Sequence, residues 1–154
     1  MTLVRLAGPE DEDVLYALLM ALAADNNTFG DELSESRIKE HILKGTRRDG
    51  GMHGVIDGDD ELAASVGIVW DRWWYAKNFG LSQIWFFVRP EYRHQGYDRA
   101  LIAWAKMMRS RLAAGVDHPV TLAHTVISEK RLSTKLELWR RHAGEMIGGI
   151  FIIR

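Results

Sequence analysis

In the stretch FFVRPEYRHQGYDRAL, Phe86 to Leu101, an apolar strand pattern, a proline turn, a glycine-containing loop and the start of a helix follow one another directly. Such a succession can hold an anion. The first N–H groups of a helix have no acceptor within it and lie at the positive end of its dipole, so a phosphate there gains both hydrogen bonds and charge. Gly96 lets the phosphate approach the main chain closely, and Arg93, His94 and Arg99 add donors or positive charge. An ordinary strand-to-helix turn has the same outline, so the segment alone leaves both readings open.

Other chemistries are narrowed by what the chain lacks. It has no cysteine, so disulfides, a thiolate nucleophile and cysteine-based metal sites are excluded. His41, His53, His94, His118, His124 and His142 show neither HxH nor HExxH spacing, which argues against a metal. His124 alternates with Leu122 and Val126 on one strand face, the setting of a hydrogen-bonded core histidine and, secondarily, of a base. Twenty Lys and Arg against 21 Asp and Glu give a net charge of −1, which does not suggest a nucleic-acid glove. The amino terminus turns acidic within its first residues, and no window has about 18 uncharged apolar residues. Neither a secretory signal nor a membrane span is expected, and a cytoplasmic location follows.

The 154 residues suggest one domain, at roughly 150 residues per domain. Thr2 to Ala7 alternate as a short strand before the Gly8-Pro9 turn. Val14, Leu15, Leu18, Leu19 and Leu22 then recur at helical spacing behind an acidic first turn, predicting a helix to about Asp25. Ser34 or Ser36 caps a second helix carrying Ile38, Ile42 and Leu43 and stopped by Gly45. Met52 to Ile56, Leu62 to Trp70 and Gln83 to Val88 read as strands of an antiparallel meander, and Arg99 to Leu112 as a third helix. Val120 to Ile127, Ser133 to His142 and Ile147 to Ile153 complete the chain as strand, helix and strand. The two strand–helix units of the second half should pair their strands in parallel. Ligands in such sheets bind beyond strand carboxyl ends, which again points to residues 88–99. Trp85 and Trp104 fall in apolar patterns and are expected in the core.

The residues VRPEYRHQGYDRALI resemble the central motif of the GNAT acyltransferase superfamily, in which Arg or Gln is followed by two residues, Gly, one residue, and Gly or Ala. Arg93, Gly96 and Asp98 occupy the patterned positions, and Val88, Pro90, Glu91 and Tyr92 fit the preceding strand end. The element order is similar to that family's fold over nearly the whole chain. The resemblance implies a single α/β domain over 1–154: a central, mostly antiparallel twisted sheet splayed at strands four and five and flanked by about four helices. It also implies acetyl-CoA or another acyl-CoA as cosubstrate. The pyrophosphate would lie on the main-chain amides of Arg93, His94, Gln95, Gly96, Tyr97 and Asp98. The pantetheine arm would pair like an added strand near Phe87 and Val88, satisfying free edge groups. The acceptor, a small-molecule or peptide amine, would approach from the opposite side and must be neutral to attack.

The pattern is broken in three places. Asp98 stands where the family has Gly or Ala, and its carboxylate either caps the helix and repels a pyrophosphate or simply points to solvent. Aligning KLELWRRHAGE with the family's last helix puts Trp139 where a tyrosine would protonate the departing thiolate, a duty indole cannot perform. The asparagine common early in that helix is replaced near Leu132 or Ser133. Relatives often carry a Glu base on the fourth strand; this chain offers Ser82 and Gln83, of which Gln83 can anchor a water but not take a proton. Gln83 as water anchor and Tyr75 as acid are the catalytic candidates. Trp70, Trp73, Trp74, Tyr75 and Phe79 cluster in a connection that suits an acceptor pocket or a homodimer interface equally.

Three functions follow. The first is transfer of an acyl group, acetyl in the simplest case, from CoA to an amine. The second is a GNAT-like module that binds CoA or a nucleotide with weak or no catalysis, consistent with Asp98 and Trp139. A nucleic-acid-directed acyltransferase is the third, resting on Arg47, Arg48, Lys130, Arg131, Lys135, Arg140 and Arg141; a solvated helix face accounts more simply for those charges.

Overall fold

A computed structural model describes residues 4–26, 32–72, 76–126 and 132–144. Strand β1 (Arg5–Leu6) leads through a turn at Pro9–Asp11 into α1 (Glu12–Asp25), and α2 (Glu35–Thr46) follows. Next come β2 (Gly51–Asp57), β3 (Leu62–Asp71), β4 (Gly80–Val88), α3 (Tyr97–Ala113), β5 (Leu122–Ala123) and α4 (Leu132–His142). The sheet order is β1-β2-β3-β4-β5. β2, β3 and β4 form the expected antiparallel meander, which β1 extends by pairing antiparallel with β2, and β5 runs parallel to β4, as the sequence predicts.

Helices cover both faces of this sheet, which is why β2 and β3 are buried along nearly their whole lengths and do not alternate with solvent. On one face α3 buries Leu101, Trp104 and Ala105 against Met52, Ile56, Val66, Ile68 and Leu81. On the other, α1 and α2 bury Leu15, Leu18 and Ile42 against Val55, Trp85 and Phe87. Trp85 and Trp104 are therefore core residues, as expected. Ser34 caps α2 by accepting from the Arg37 amide. The Arg5 guanidinium forks onto both Asp11 oxygens and also reaches Asp57, tying β1 to the start of α1 and the end of β2. No helix among the described residues is long and apolar enough to cross a membrane.

The structure moves several sequence-derived boundaries. Among the described residues β1 covers Arg5–Leu6 of the expected Thr2 to Ala7, and α3 begins at Tyr97 rather than Arg99. Among the described residues β5 is limited to Leu122–Ala123 within the expected Val120 to Ile127, because its ladder with β4 ends there. The expected last strand, Ile147 to Ile153, lies outside the described residues. Gly45 does not stop α2, which continues to Thr46.

Gly45 faces the His53 ring, which is fully buried and bonds the His41 carbonyl through Nε2 at 2.9 Å. Opposing magnitudes decide the effect of Gly45→Ala. Alanine gains about 1 kcal/mol of helix propensity, but its Cβ would land on the imidazole. Overpacking costs about 1–3 kcal/mol and a stranded buried donor about 1–3 more. We expect a net loss of roughly 1–5 kcal/mol, read as a lower urea midpoint with an unchanged slope; a stabilised variant would contradict this packing.

Candidate active site

β4 carries the site, and a bulge sets its geometry. Ile68 pairs with Gln83 whereas the preceding Gly67 pairs with Trp85, so Ile84 is the extra residue. An extra residue reverses side-chain alternation beyond it. Gln83 lies on the face of α3, and after Ile84 the order resumes with Trp85 and Phe87 toward α1 and α2, and Phe86 and Val88 toward α3.

On its other edge β4 pairs with β5 only at Leu81–Leu122 and Ser82–Ala123. Beyond those pairs the strands part into a cleft of about 940 Å³. Gln83 to Val88 form one wall, and Thr125, Val126 and the α4 residues Thr134, Lys135, Leu138 and Trp139 the other. Arg93, His94, Tyr97 and Asp98 close the α3 end, while Leu19, Leu22, Ile38 and His41 line the side of α1 and α2. The cleft thus reaches both faces of the sheet.

After the turn at Pro90–Tyr92, His94 and Gly96 both adopt the left-handed conformation, with φ of 70° and 81°. A non-glycine residue there stores strain of about 1–3 kcal/mol, a feature that collects at functional sites. Gly96 precedes the first turn of α3, where the Tyr97 and Asp98 amides have no acceptor within the helix. At the exposed start of α3 the Asp98 Oδ1 accepts the Arg99 amide at 2.8 Å. Arg93 is turned away from this mouth. Its Nη2 pairs with Asp25 Oδ2 at 2.7 Å and its Nε donates to the Val88 carbonyl at 3.3 Å, bracing α1 against the turn.

The catalytic candidates have different fates. Gln83 lines the cleft, and its Oε1 is bonded at 2.9 Å to Nδ1 of His124, the first residue after β5. The His124 ring also packs at 4.1 Å from the ring of Trp139, which in turn meets Phe86 at 4.9 Å. Burial pushes the His124 pKa down to about 4. The same cause lowers that of His41. Tyr75, with Trp73 and Trp74, lies outside the described residues. Among the cofactor-binding candidates, Phe87, Val88, Arg93, His94, Tyr97 and Asp98 line the cleft; Gln95 and Gly96 belong to the turn but not to its wall. Trp70 and Phe79 pack on each other at 6.0 Å and do not line it, so neither builds an acceptor pocket there. Arg140 and Arg141 pair with Glu137 on the α4 face and Arg47 pairs with Glu12 of α1, while Lys130 and Arg131 lie outside the described residues.

No protein-family model matches the sequence, and no curated protein matches it significantly. Solved structures match in fold. The structure of AAC(6′)-Iy in complex with the bisubstrate analogue CoA-S-monomethyl-acetylneamine shares 15% identity at a TM-score of 0.69, over 100% of this chain and 97% of that one. A ribosomal-protein-alanine N-acetyltransferase from Brucella melitensis biovar Abortus 2308 gives 12% and 0.69, covering 100% and 99%. A transcriptional regulator from Bacillus halodurans C-125 gives 12% and 0.71, again covering 100% and 99%. The chain therefore has the fold of the GNAT N-acetyltransferases. At these identities the likeness establishes architecture, and the chemistry has to be argued from the cleft.

Proposed function

We propose that this protein transfers an acyl group, acetyl in the simplest case, from an acyl-CoA to an amine. The observation that carries the reading is the parting of β4 and β5 after two residue pairs, into a cleft that ends on the strained turn before α3. In this reading the amides from Arg93 to Asp98 hold the pyrophosphate. The open edge of β4 at Phe87 and Val88 takes the amide-bearing pantetheine arm as a short added strand. The carbonyl carbon then sits near Gln83, and a neutral amine reaches it from the side of α1 and α2. One solved neighbour, AAC(6′)-Iy, holds a CoA bisubstrate analogue, which supports CoA as the donor here. The test is release of CoA thiol from acetyl-CoA in the presence of tyramine, spermidine and a lysine-terminated peptide. Amine-dependent release supports the reading.

A binding module with little turnover is the second reading, favoured by Trp139, which is buried between Phe86 and His124 and offers no phenol. Tight acetyl-CoA binding without thiol release from any amine would establish it instead. Both readings make Asp98 a brake on binding. Removing a carboxylate about 4 Å from a phosphate relieves about 1–4 kcal/mol at dielectrics of 80 to 20. Asp98→Ala also frees the Arg99 amide. Acetyl-CoA should bind Asp98→Ala at least about fivefold more tightly than the parent; weaker binding would mean that the carboxylate assists the site.

A further inference from the structure

We propose that the acceptor is an apolar monoamine bearing a carboxylate at its far end, and that Arg37, on the α2 wall of the cleft, recognises that carboxylate. The assignment rests on the acyl-transfer reading and deepens it by naming the substrate class.

The charges on the wall select the sign of the ligand. Two carboxylates line the cleft, and neither serves a cationic acceptor. Asp25 is held by Arg93 at 2.7 Å, and Asp98 stands in the first turn of α3, where this reading puts the phosphates. Helix α2 has two acids and its two lysines take both, Lys39 pairing with Glu35 and Lys44 with Glu40. Arg37 is the cation left over: among the described residues no carboxylate pairs with it. Lys135, on the α4 wall, carries the same sign. Burial lowers the pKa of His41, so that ring lines the wall as a neutral group. His94 and Tyr97 belong to the α3 end. A side so charged repels a polyamine and attracts an anion.

The body of the ligand follows from the rest of that side. Leu19, Leu22, Leu33 and Ile38 line it, and Leu33 is 46% exposed, an apolar side chain that the fold leaves uncovered. Such a wall favours a hydrocarbon or aromatic body.

Helix α2 also gives the direction. The His41 carbonyl is bonded at 2.9 Å to His53 Nε2, and the His53 ring packs 4.4 Å from that of Trp85 on β4, so this turn of α2 sits against the sheet. Arg37 lies one turn back, roughly 6 Å along the axis, and is exposed. The acceptor therefore enters amine first, lays its body along the leucines and leaves its far end beside Arg37. A guanidinium matches a carboxylate there with two parallel N–H donors.

The experiment measures thiol release from saturating acetyl-CoA with three amines of one shape, para-aminoethylbenzoate, phenethylamine and para-aminoethylbenzylamine, whose far ends are anionic, neutral and cationic. Spermidine and β-alanine, which has both charges but no apolar body, are run beside them. The parent should favour the benzoate over phenethylamine by about fivefold, through KM with kcat kept, as an ion pair at an exposed arginine allows. The benzylamine and spermidine should be poorer than phenethylamine, and β-alanine at least about tenfold poorer than the benzoate. Arg37→Glu should keep its acetyl-CoA affinity and its rate with phenethylamine, and invert the order of the benzoate and the benzylamine. A structural role for Arg37 would lower all three rates together. Best use of spermidine or the benzylamine by the parent, equal use of the three shapes, β-alanine matching the benzoate, or an order that Arg37→Glu leaves in place overturns the assignment while acyl transfer stands. Thiol release with none of these amines, nor with tyramine or the lysine-terminated peptide, overturns both.

Discussion

Trp85→Ala should cost about 3–5 kcal/mol of stability, the range for truncating a buried aromatic residue. The ring is 7% exposed, packs 4.4 Å from the His53 ring, and lies over Gly67, where a Cβ would collide with it. Its Nε1 donates to Ser65 Oγ at 3.1 Å, so truncation strands a buried hydroxyl as well as opening a void. Domains of this size have about 5–15 kcal/mol in total, which makes this a large fraction of the whole. Urea unfolding followed by circular dichroism checks it. A loss under about 1 kcal/mol would mean that the bulge at Ile84 does not turn Trp85 into the core. The functional consequence is direct, because the same bulge decides which β4 side chains face each half of the cleft.

Gly96→Val should leave the protein folded and remove most of its acyl-CoA affinity. At φ of 81° a β-branched residue is strained by about 1–2 kcal/mol, a tolerable loss of stability. Space is not the obstacle, since an added Cβ would meet only the flexible Arg99 guanidinium, at 3.3 Å. The damage falls on the main chain, which must either keep the strain or re-aim the amides on both sides of residue 96. Each charge-assisted hydrogen bond lost is worth about 1.5–3 kcal/mol, or roughly 10- to 150-fold in affinity. Calorimetry with CoA, beside circular dichroism of the same sample, separates the two effects. Undiminished CoA affinity in Gly96→Val would remove the turn from the binding site.

Both variants show what local patterning reveals and what it hides. Helix α1, the meander, the parallel fifth strand and the turn before α3 are written in short-range terms: apolar spacing, an acidic first turn, a serine cap, a glycine. Gly45 misleads because a glycine late in a helical pattern looks the same whether it ends the helix or makes room for a histidine from a strand. The bulge at Ile84 is invisible because only the partner strand defines an extra residue. The two contacts that shape the cleft are longer in range still. Asp25 and Arg93 are 68 residues apart, and Gln83 and His124 are 41 apart. The family resemblance nominated Gln83, the strand-to-helix turn Arg93 and strand alternation His124, each separately, and only the sheet's topology brings Gln83 to His124 and turns Arg93 away from the helix mouth. Of the aromatic cluster, Trp70 and Phe79 pack on each other and do not line the cleft, and Trp73, Trp74 and Tyr75 lie outside the described residues.

The central claim is that the cleft between β4 and β5 is an acyl-CoA site, and calorimetric titration of the parent protein with acetyl-CoA tests it most directly. The account predicts saturable binding at one site with a micromolar dissociation constant, about −8 kcal/mol, abolished or strongly weakened by Gly96→Val. The absence of saturable binding in the parent, or equal binding by Gly96→Val, would contradict it.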